Sequence, residues 1–283
     1  MIPKLMEITT KIGCSLNCRF CPKQLLIESY FNGKKKEKQK LHAENMSFEV
    51  FQRCIDKIPL DTDIHFSGMC EPWLNPDCTK MLCYAYEKGH NIHVYTTLVG
   101  MTREDYMQLK ELDISTFVLH IPDEEGNSRF QMDEDYLEFL SEVIQDVKNG
   151  IFTISSFSCH GTVHSKIRQL VDSSGIRINN QMYDRAGNVQ EECDIKSGDK
   201  KRGSIICKWC GGISLDKNVL LPDGTVLMCC MDYGMKYPLG NLLQESYEDI
   251  SEGNVKMQYR RLLMEESDGD ILCRTCHRSR KLP

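Results

Sequence analysis

The stretch Cys14-Ser-Leu-Asn-Cys18-Arg-Phe-Cys21 decides how the rest of the chain is interpreted. A short strand at 6–10 is predicted to precede it, and Pro22 is expected to prevent a helix from starting directly after it. Three thiolates on one loop can bind three irons of a cubic [4Fe-4S] cluster, which leaves the fourth iron open for a small molecule. A structural zinc would need a fourth local ligand, and no His or Cys occurs in the next twenty residues.

The composition is that of a folded, soluble protein. The 283 residues are 41% hydrophobic and 27% charged, with 15 Cys and a net charge of −6. We find no apolar run of membrane-spanning length and no signal-peptide core in the first residues, so we expect a cytoplasmic protein. Disulfides are rare there, and metal is the first explanation for so many cysteines. The mildly acidic balance argues against nucleic-acid binding.

Strand and helix patterns alternate through the first two thirds of the chain. Six strands are predicted, at 6–10, 63–67, 92–97, 114–120, 151–156 and 176–182, and helices at 76–88, 102–112, 132–148 and 164–172. Such alternation predicts an α/β fold with a parallel sheet and right-handed crossovers. Six units rather than eight suggest an open, partial (β/α)6 TIM-like barrel, whose ligands bind at the carboxyl ends of the strands.

The Cys-x3-Cys-x2-Cys spacing, with Phe20 before the last Cys, resembles the radical S-adenosylmethionine (radical SAM) superfamily. The resemblance implies that Cys14, Cys18 and Cys21 bind a [4Fe-4S] cluster whose open iron binds S-adenosylmethionine (SAM). It further implies reductive cleavage of SAM to a 5′-deoxyadenosyl radical, which removes a hydrogen atom from the substrate. A reductant such as flavodoxin or ferredoxin would supply the electron.

Four further residues are candidates for cofactor binding. Glu71, in Gly68-Met-Cys-Glu71-Pro72, resembles the family's Gly-Glu-Pro stretch that binds the SAM amino group, although two residues intervene here; the alternative is a charge at a helix start. Thr96 ends the third strand, where related enzymes place Thr-Asn-Gly, or it caps the next turn. Ser156 ends the predicted fifth strand and could bind the ribose. Arg185, in an Arg-Ala-Gly-Asn segment, is a candidate carboxylate or substrate clamp.

Six cysteines lie in the last quarter of the chain, at Cys207, Cys210, Cys229, Cys230, Cys273 and Cys276. A β-hairpin is predicted around Asp223-Gly224, and a helix at 247–264. Such a thin core favours stabilisation by zinc or by a cluster.

The segment Pro222-Asp-Gly-Thr-Val-Leu-Met-Cys-Cys, followed by Leu239-Gly-Asn-Leu242, resembles the SPASM/twitch extension of radical SAM enzymes. It implies one auxiliary [4Fe-4S] cluster on Cys210, Cys229, Cys273 and Cys276. Cys207 and Cys230 have weaker claims as ligands. Cys230 could instead donate a hydrogen atom to a substrate radical, as an epimerase requires, or simply pack in the core.

We predict a barrel domain at 1–188, a linker at 189–206 and a cluster domain at 207–283.

The resemblance implies oxidation or epimerisation of a sugar, aminocyclitol or related small molecule. The first strand begins within ten residues, which leaves no room for a peptide-binding segment and favours a small substrate over the peptide or protein of a maturase. The alternative from another class is a zinc-binding interaction module. No nucleic-acid or membrane partner is expected.

Overall fold

A computed structural model describes residues 4–32, 43–180, 182–189, 200–264 and 270–282. The charge run at 34–40 and Cys193 of the predicted linker lie outside these residues. The strands are β1 Lys4–Ile8, β2 Lys11–Ile12, β3 Glu44–Asn45, β4 Thr62–Phe66, β5 Ile92–Thr96, β6 Thr116–Ile121, β7 Ser156–Cys159, β8 Ile178–Asn179, β9 Ile205–Cys207, β10 Lys217–Leu220, β11 Thr225–Leu227, β12 Pro238–Asn241 and β13 Ser279–Lys281. The helices are α1 Lys23–Asn32, α2 Phe48–Ile55, α3 Cys78–Glu87, α4 Arg103–Lys110, α5 Glu134–Lys148, α6 Ser165–Ser173, α7 Tyr247–Glu252 and α8 Asn254–Met264.

Nine strands form one open sheet in the order β12-β11-β10-β1-β4-β5-β6-β7-β8. All pairs from β10 across to β8 are parallel. Strands β11 and β12 add antiparallel at one edge. The predicted α/β class with an open, partial barrel is therefore confirmed.

The two faces of the sheet differ in chemistry because side chains alternate along each strand. Outward-facing residues such as Ile8, Phe66 and Leu119 are buried under helices α2–α6 in one hydrophobic core. The inner face is polar and carries Glu7, Asp63, His65, His93, Tyr95, Thr116, His120 and Ser158 on β1 and β4–β7. The sequence thus folds into a barrel wall with an apolar outside and a polar inside.

The predicted C-terminal hairpin joins the barrel sheet. Strand β10 pairs in parallel with β1, so that Leu5 lies opposite Lys217 and Ile8 opposite Leu220. This pairing brings Cys229 and Cys230, which follow β11, beside the first barrel strand. The two predicted domains share one sheet, while their boundary remains a prediction.

Several predicted boundaries are wrong. The predicted strand at 151–156 is instead β7 at Ser156–Cys159, because Phe152 and Ile154 are buried against the core without pairing in the sheet. The strand predicted at 176–182 is reduced to Ile178–Asn179.

Two helix predictions also need correction. Helix α1 begins immediately after Pro22, whose carbonyl accepts hydrogen bonds from Leu25 and Leu26; proline suits a helix start because the N–H it lacks has no partner there. The helix predicted at 247–264 is two helices that meet at Gly253, where a Cβ would clash with the carbonyl oxygen of Asp249.

Within the described ranges, none of the helices combines the length and apolar character needed to cross a bilayer.

Candidate functional site

The loop that carries Cys14, Cys18 and Cys21 lies beyond the carboxyl end of β1. The Lys23 ammonium donates to the carbonyl oxygens of Cys14 at 2.9 Å and Leu16 at 2.7 Å, which closes the loop on itself. The Arg19 amide donates to the Asn127 carbonyl at 2.9 Å, so the β6–α5 connection supports the loop from the other side. These contacts fix the loop by its backbone and leave its three thiols for a ligand.

The three thiols converge. Burial raises the pKa of Cys18 to about 12, with further contributions from repulsion by Cys21 and Cys14. Burial likewise raises the pKa of Cys14, which also lies near Cys21.

The three thiols on this loop fit an iron–sulfur cluster. Lys23 and Asn127 hold the backbone of the loop, and the thiols lie close enough to repel one another as thiolates. Three thiolates can bind three irons of a cubic cluster and leave the fourth iron open for a small molecule.

Glu71 lies beside this loop, with only 5% of its surface exposed. Its carboxylate accepts hydrogen bonds from the Thr96 hydroxyl at 2.5 Å, and from the Thr97 amide and hydroxyl at 2.8 Å each. Burial raises the pKa of Glu71 to about 7, while these hydrogen bonds oppose the rise. The Cys14 thiol in turn lies at the Glu71 backbone amide. The structure thus brings Glu71, Thr96 and Cys14 together, and the Thr96 hydroxyl donates a hydrogen bond to the Glu71 carboxylate.

Gly68 controls where Glu71 can lie. Its φ is +63°, and an added Cβ would approach the Thr9 hydroxyl to 2.5 Å and the Ile8 carbonyl to 2.9 Å. We expect Gly68→Ala to lower the free energy of unfolding by about 2–4 kcal/mol, because it adds a clash to backbone strain. Gly126→Ala is the matched control, since Gly126 has a φ of +65° but open space around it; it should cost about 1 kcal/mol. Denaturant unfolding measures both, and equal losses would show that the contact with β1 is unimportant.

Ser156 is not at the carboxyl end of its strand. It begins β7, opposite Val118, and its hydroxyl accepts from the Asn179 amide at 3.0 Å. The prediction that Ser156 binds the ribose relied on a strand boundary that the structure corrects, and its role stays a prediction.

A second group of thiols lies on the other side of β1. Five cysteines are close enough to repel one another as thiolates, namely Cys207, Cys210, Cys229, Cys273 and Cys276. The sulfurs of Cys207 and Cys276 accept backbone hydrogen bonds at 3.4 Å, from Cys210 and Arg278 respectively. Hydrogen bonds from the Cys210 thiol and from nearby amides lower the pKa of Cys207 to about 6. The four predicted auxiliary ligands thus lie together, and Cys207 lies with them.

Cys230 adjoins that group and also lies near the barrel residues. It is 4% exposed and packs with Leu26, Met69 and Tyr233 in a core that includes Cys276 and the partly buried Cys229. Its thiol hydrogen-bonds to that of Cys229, and Glu7 of β1 and Arg185 lie near it. Its role as a hydrogen-atom donor stays a prediction.

Arg185 lies near Cys230 and belongs to a strained turn. Arg185 and Ala186 have φ of 50° and 57°. The Ala186 amide donates to the Asp184 carboxylate at 3.1 Å, and its carbonyl accepts from the Thr275 hydroxyl at 3.2 Å. The loop between Cys273 and Cys276 therefore holds the turn that positions Arg185.

A polar group on the inner barrel wall has metal-binding side chains. The ligand atoms of Asp63, His65 and His93 all lie within 4.8 Å of one another. Burial lowers the pKa of His65 to about 3 and that of His93, and the Lys217 ammonium lowers both further. The Lys217 ammonium would repel a metal cation bound by Asp63, His65 and His93. These three residues therefore belong to the polar wall of the barrel.

Sequence reasoning missed Glu7, Ser67 and Tyr233 as site residues. The Tyr233 hydroxyl accepts from the Cys21 thiol at 4.0 Å, and the Ser67 hydroxyl donates to Glu7 at 3.2 Å. Glu7 had a signal, because a carboxylate in the middle of a buried strand is rare without a partner or function.

Comparison with known proteins gives one domain match and several similar folds. Residues 207–277 match SPASM, described as an iron-sulfur cluster-binding domain. BtrN in complex with AdoMet and 2-DOIA is 16% identical, with a TM-score of 0.62 over 98% of this chain and 94% of that one. SuiB of Streptococcus suis bound to precursor peptide SuiA is 12% identical, with a TM-score of 0.53 over 97% and 70%. The protein anSMEcpe with bound AdoMet is 15% identical, with a TM-score of 0.51 over 96% and 87%. No curated protein sequence matches.

These similarities define the class. The chain has the fold of radical SAM enzymes, and its residues 207–277 form a SPASM domain. The predicted recognition, a radical SAM fold with a C-terminal SPASM extension, is confirmed.

Proposed function

We propose that the protein is a radical SAM enzyme that oxidises an alcohol of a sugar, aminocyclitol or related small molecule. The observation that carries the proposal is the placement of two thiol groups on either side of buried polar residues: Cys14, Cys18 and Cys21 on one side, and the SPASM cysteines on the other. When bound, SAM and a reduced [4Fe-4S] cluster supply a 5′-deoxyadenosyl radical, and an auxiliary [4Fe-4S] cluster supplies a one-electron acceptor.

The chain's own residues then have distinct roles. The three loop cysteines hold the first cluster, and Glu71 accepts hydrogen bonds from the SAM amino group. Three hydrogen bonds from Thr96 and Thr97 leave carboxylate lone pairs for that purpose. Cys210, Cys229, Cys273 and Cys276 hold the auxiliary cluster.

The enclosure of the interior supports a small substrate. Cys230 and Tyr233 are buried, and Arg185 is half-buried, between the two thiol groups. The similarity to BtrN, a protein crystallised with 2-DOIA, spans nearly all of both chains. The similarity to SuiB, bound to a precursor peptide, spans 70% of that protein. A maturase is therefore the less favoured alternative.

The substrate class is tested by release of 5′-deoxyadenosine from the reconstituted, reduced protein. The probes are 2-DOIA, myo-inositol, UDP-glucose and a synthetic peptide. We expect at least one of the alcohols, and not the peptide, to raise release above the level seen with SAM alone. Stimulation by the peptide alone would favour the maturase.

Epimerisation is a second candidate, favoured specifically by the buried Cys230 thiol, which lies near Glu7 and Arg185. The two reactions differ in D2O, where the thiol carries deuterium. Oxidation gives a product two mass units lighter without solvent deuterium on carbon. A product of unchanged oxidation level with one solvent deuterium, which disappears in Cys230→Ala, would instead establish epimerisation.

A further inference from the structure

We infer that Glu7 and Arg185 together bind the reacting hydroxyl group of the substrate, and that Glu7 accepts its proton. This inference rests on the proposed function and adds to it a binding group and a catalytic base. No motif pointed to Glu7.

Glu7 lies in the middle of β1 on the inner face of the barrel. It is 6% exposed, and its carboxylate accepts from the Ser67 hydroxyl at 3.2 Å. The Gly68 amide and the Cys230 thiol also lie at this carboxylate. β1 is the strand from which the first cysteine loop extends and with which the SPASM strand β10 pairs. Glu7 is therefore in the wall that lies between the two proposed clusters.

The Arg185 side chain is half-buried, and one of its donors lacks an acceptor. Its guanidinium lies near Tyr233, Cys230, Cys21 and Glu7. Its buried Nε atom has no hydrogen-bond partner among the described residues. A buried guanidinium N–H without an acceptor is unfavourable, so buried polar groups almost always find partners. The unsatisfied donor indicates a ligand that accepts from it.

Glu7 and Arg185 do not neutralise each other directly. They are close enough for the guanidinium to lower the pKa of Glu7, yet no ion pair within 4.0 Å joins these two described residues. A structural salt bridge would have brought them into contact. A group that bridges a carboxylate and a guanidinium would provide both with a partner.

The charges select the kind of group. A substrate carboxylate would be attracted by Arg185 but repelled by Glu7. A substrate ammonium would be attracted by Glu7 but repelled by Arg185. A hydroxyl satisfies both, because its O–H donates to the carboxylate while its oxygen accepts from the guanidinium. The pair therefore recognises an alcohol.

The same contacts suit oxidation of that alcohol. With SAM and the first cluster bound, the carbinol carbon would lose its hydrogen atom to the 5′-deoxyadenosyl group, which gives 5′-deoxyadenosine. The hydroxyl proton passes to Glu7, and the remaining unpaired electron leaves to a one-electron acceptor of the iron–sulfur class. A C=O double bond results, and the substrate has lost two electrons and two protons in total. Burial raises the pKa of Glu7, which makes it a stronger base than an exposed glutamate.

The test compares Glu7→Gln and Arg185→Met with Glu104→Gln, an exposed residue of α4, in reconstituted protein with SAM. Binding of 2-DOIA and myo-inositol is measured by saturation-transfer NMR, and ketone and 5′-deoxyadenosine are quantified separately. Iron content and circular dichroism confirm that each variant is folded and loaded.

Glu7→Gln should keep alcohol binding, because the amide still hydrogen-bonds, but lose about 100-fold or more in ketone formation. Release of 5′-deoxyadenosine should persist in it. Arg185→Met should weaken binding by about 10-fold or more.

Ketone formation by Glu7→Gln within threefold of wild type would overturn the base assignment. Failure of the wild type to bind either alcohol, while it still cleaves SAM, would overturn the hydroxyl site and leave the proposed function standing. Failure of the wild type to cleave SAM would overturn the proposed function itself.

Discussion

A Cys18→Ala variant is expected to lose SAM cleavage completely while it keeps its auxiliary cluster. Cys18 lies at the centre of the three-thiol loop, and a cubic cluster held by two thiolates is not retained. Iron should fall from about eight to about four per chain, and 5′-deoxyadenosine should drop below detection. Iron analysis and chromatographic assay of 5′-deoxyadenosine measure the two effects.

The control for this experiment is Cys83→Ala. Cys83 is a half-buried residue of α3 outside both thiol groups, so this variant should keep all of its iron and its SAM cleavage. If Cys18→Ala retained SAM cleavage, the loop would not hold the reactive cluster.

Cys273→Ala is expected to have the largest effect on stability. Cys273 is 7% exposed and lies near Cys229, Cys207 and Cys276. Because a metal site in a thin core supplies much of the folding free energy, loss of this ligand should release the auxiliary cluster and lower the unfolding temperature of the SPASM region. Iron should again fall to about four per chain, but the first cluster should remain. Calorimetry of the reconstituted variant against Cys83→Ala measures the destabilisation, and an unchanged transition would contradict the role of Cys273.

The fourth auxiliary ligand is resolved by a pair of serine variants. We propose Cys210, and accordingly Cys210→Ser should lose auxiliary iron while Cys207→Ser keeps it. The convergence of Cys207 with the other four thiols makes the reverse outcome the specific alternative. That outcome would transfer the ligand role to Cys207.

The parts of the site that local sequence determines were predictable. The three cysteines lie within eight residues of one another, and Glu71 lies just beyond a strand end, so their chemistry is visible in short segments. The alternation of strands and helices likewise predicted the parallel sheet.

The remaining parts depend on contacts between distant segments. Glu7, Arg185 and Cys230 meet only because β10 pairs with β1 and because the Cys273–Cys276 loop holds the Ala186 turn. The wrong strand boundary at Ser156 had a similar origin. Phe152 and Ile154 are apolar because they pack in the core, and they do not pair in the sheet. Sequence periodicity does not separate these two causes.

The central claim is that this chain holds a SAM-cleaving cluster and a second, auxiliary one. Its most direct test is anaerobic reconstitution of the wild-type protein with iron and sulfide, followed by reduction in the presence of SAM. We predict about eight Fe per chain, absorbance near 400 nm and formation of 5′-deoxyadenosine. A colourless protein that binds zinc, takes up no iron and leaves SAM intact would contradict the account and support a zinc-binding interaction module.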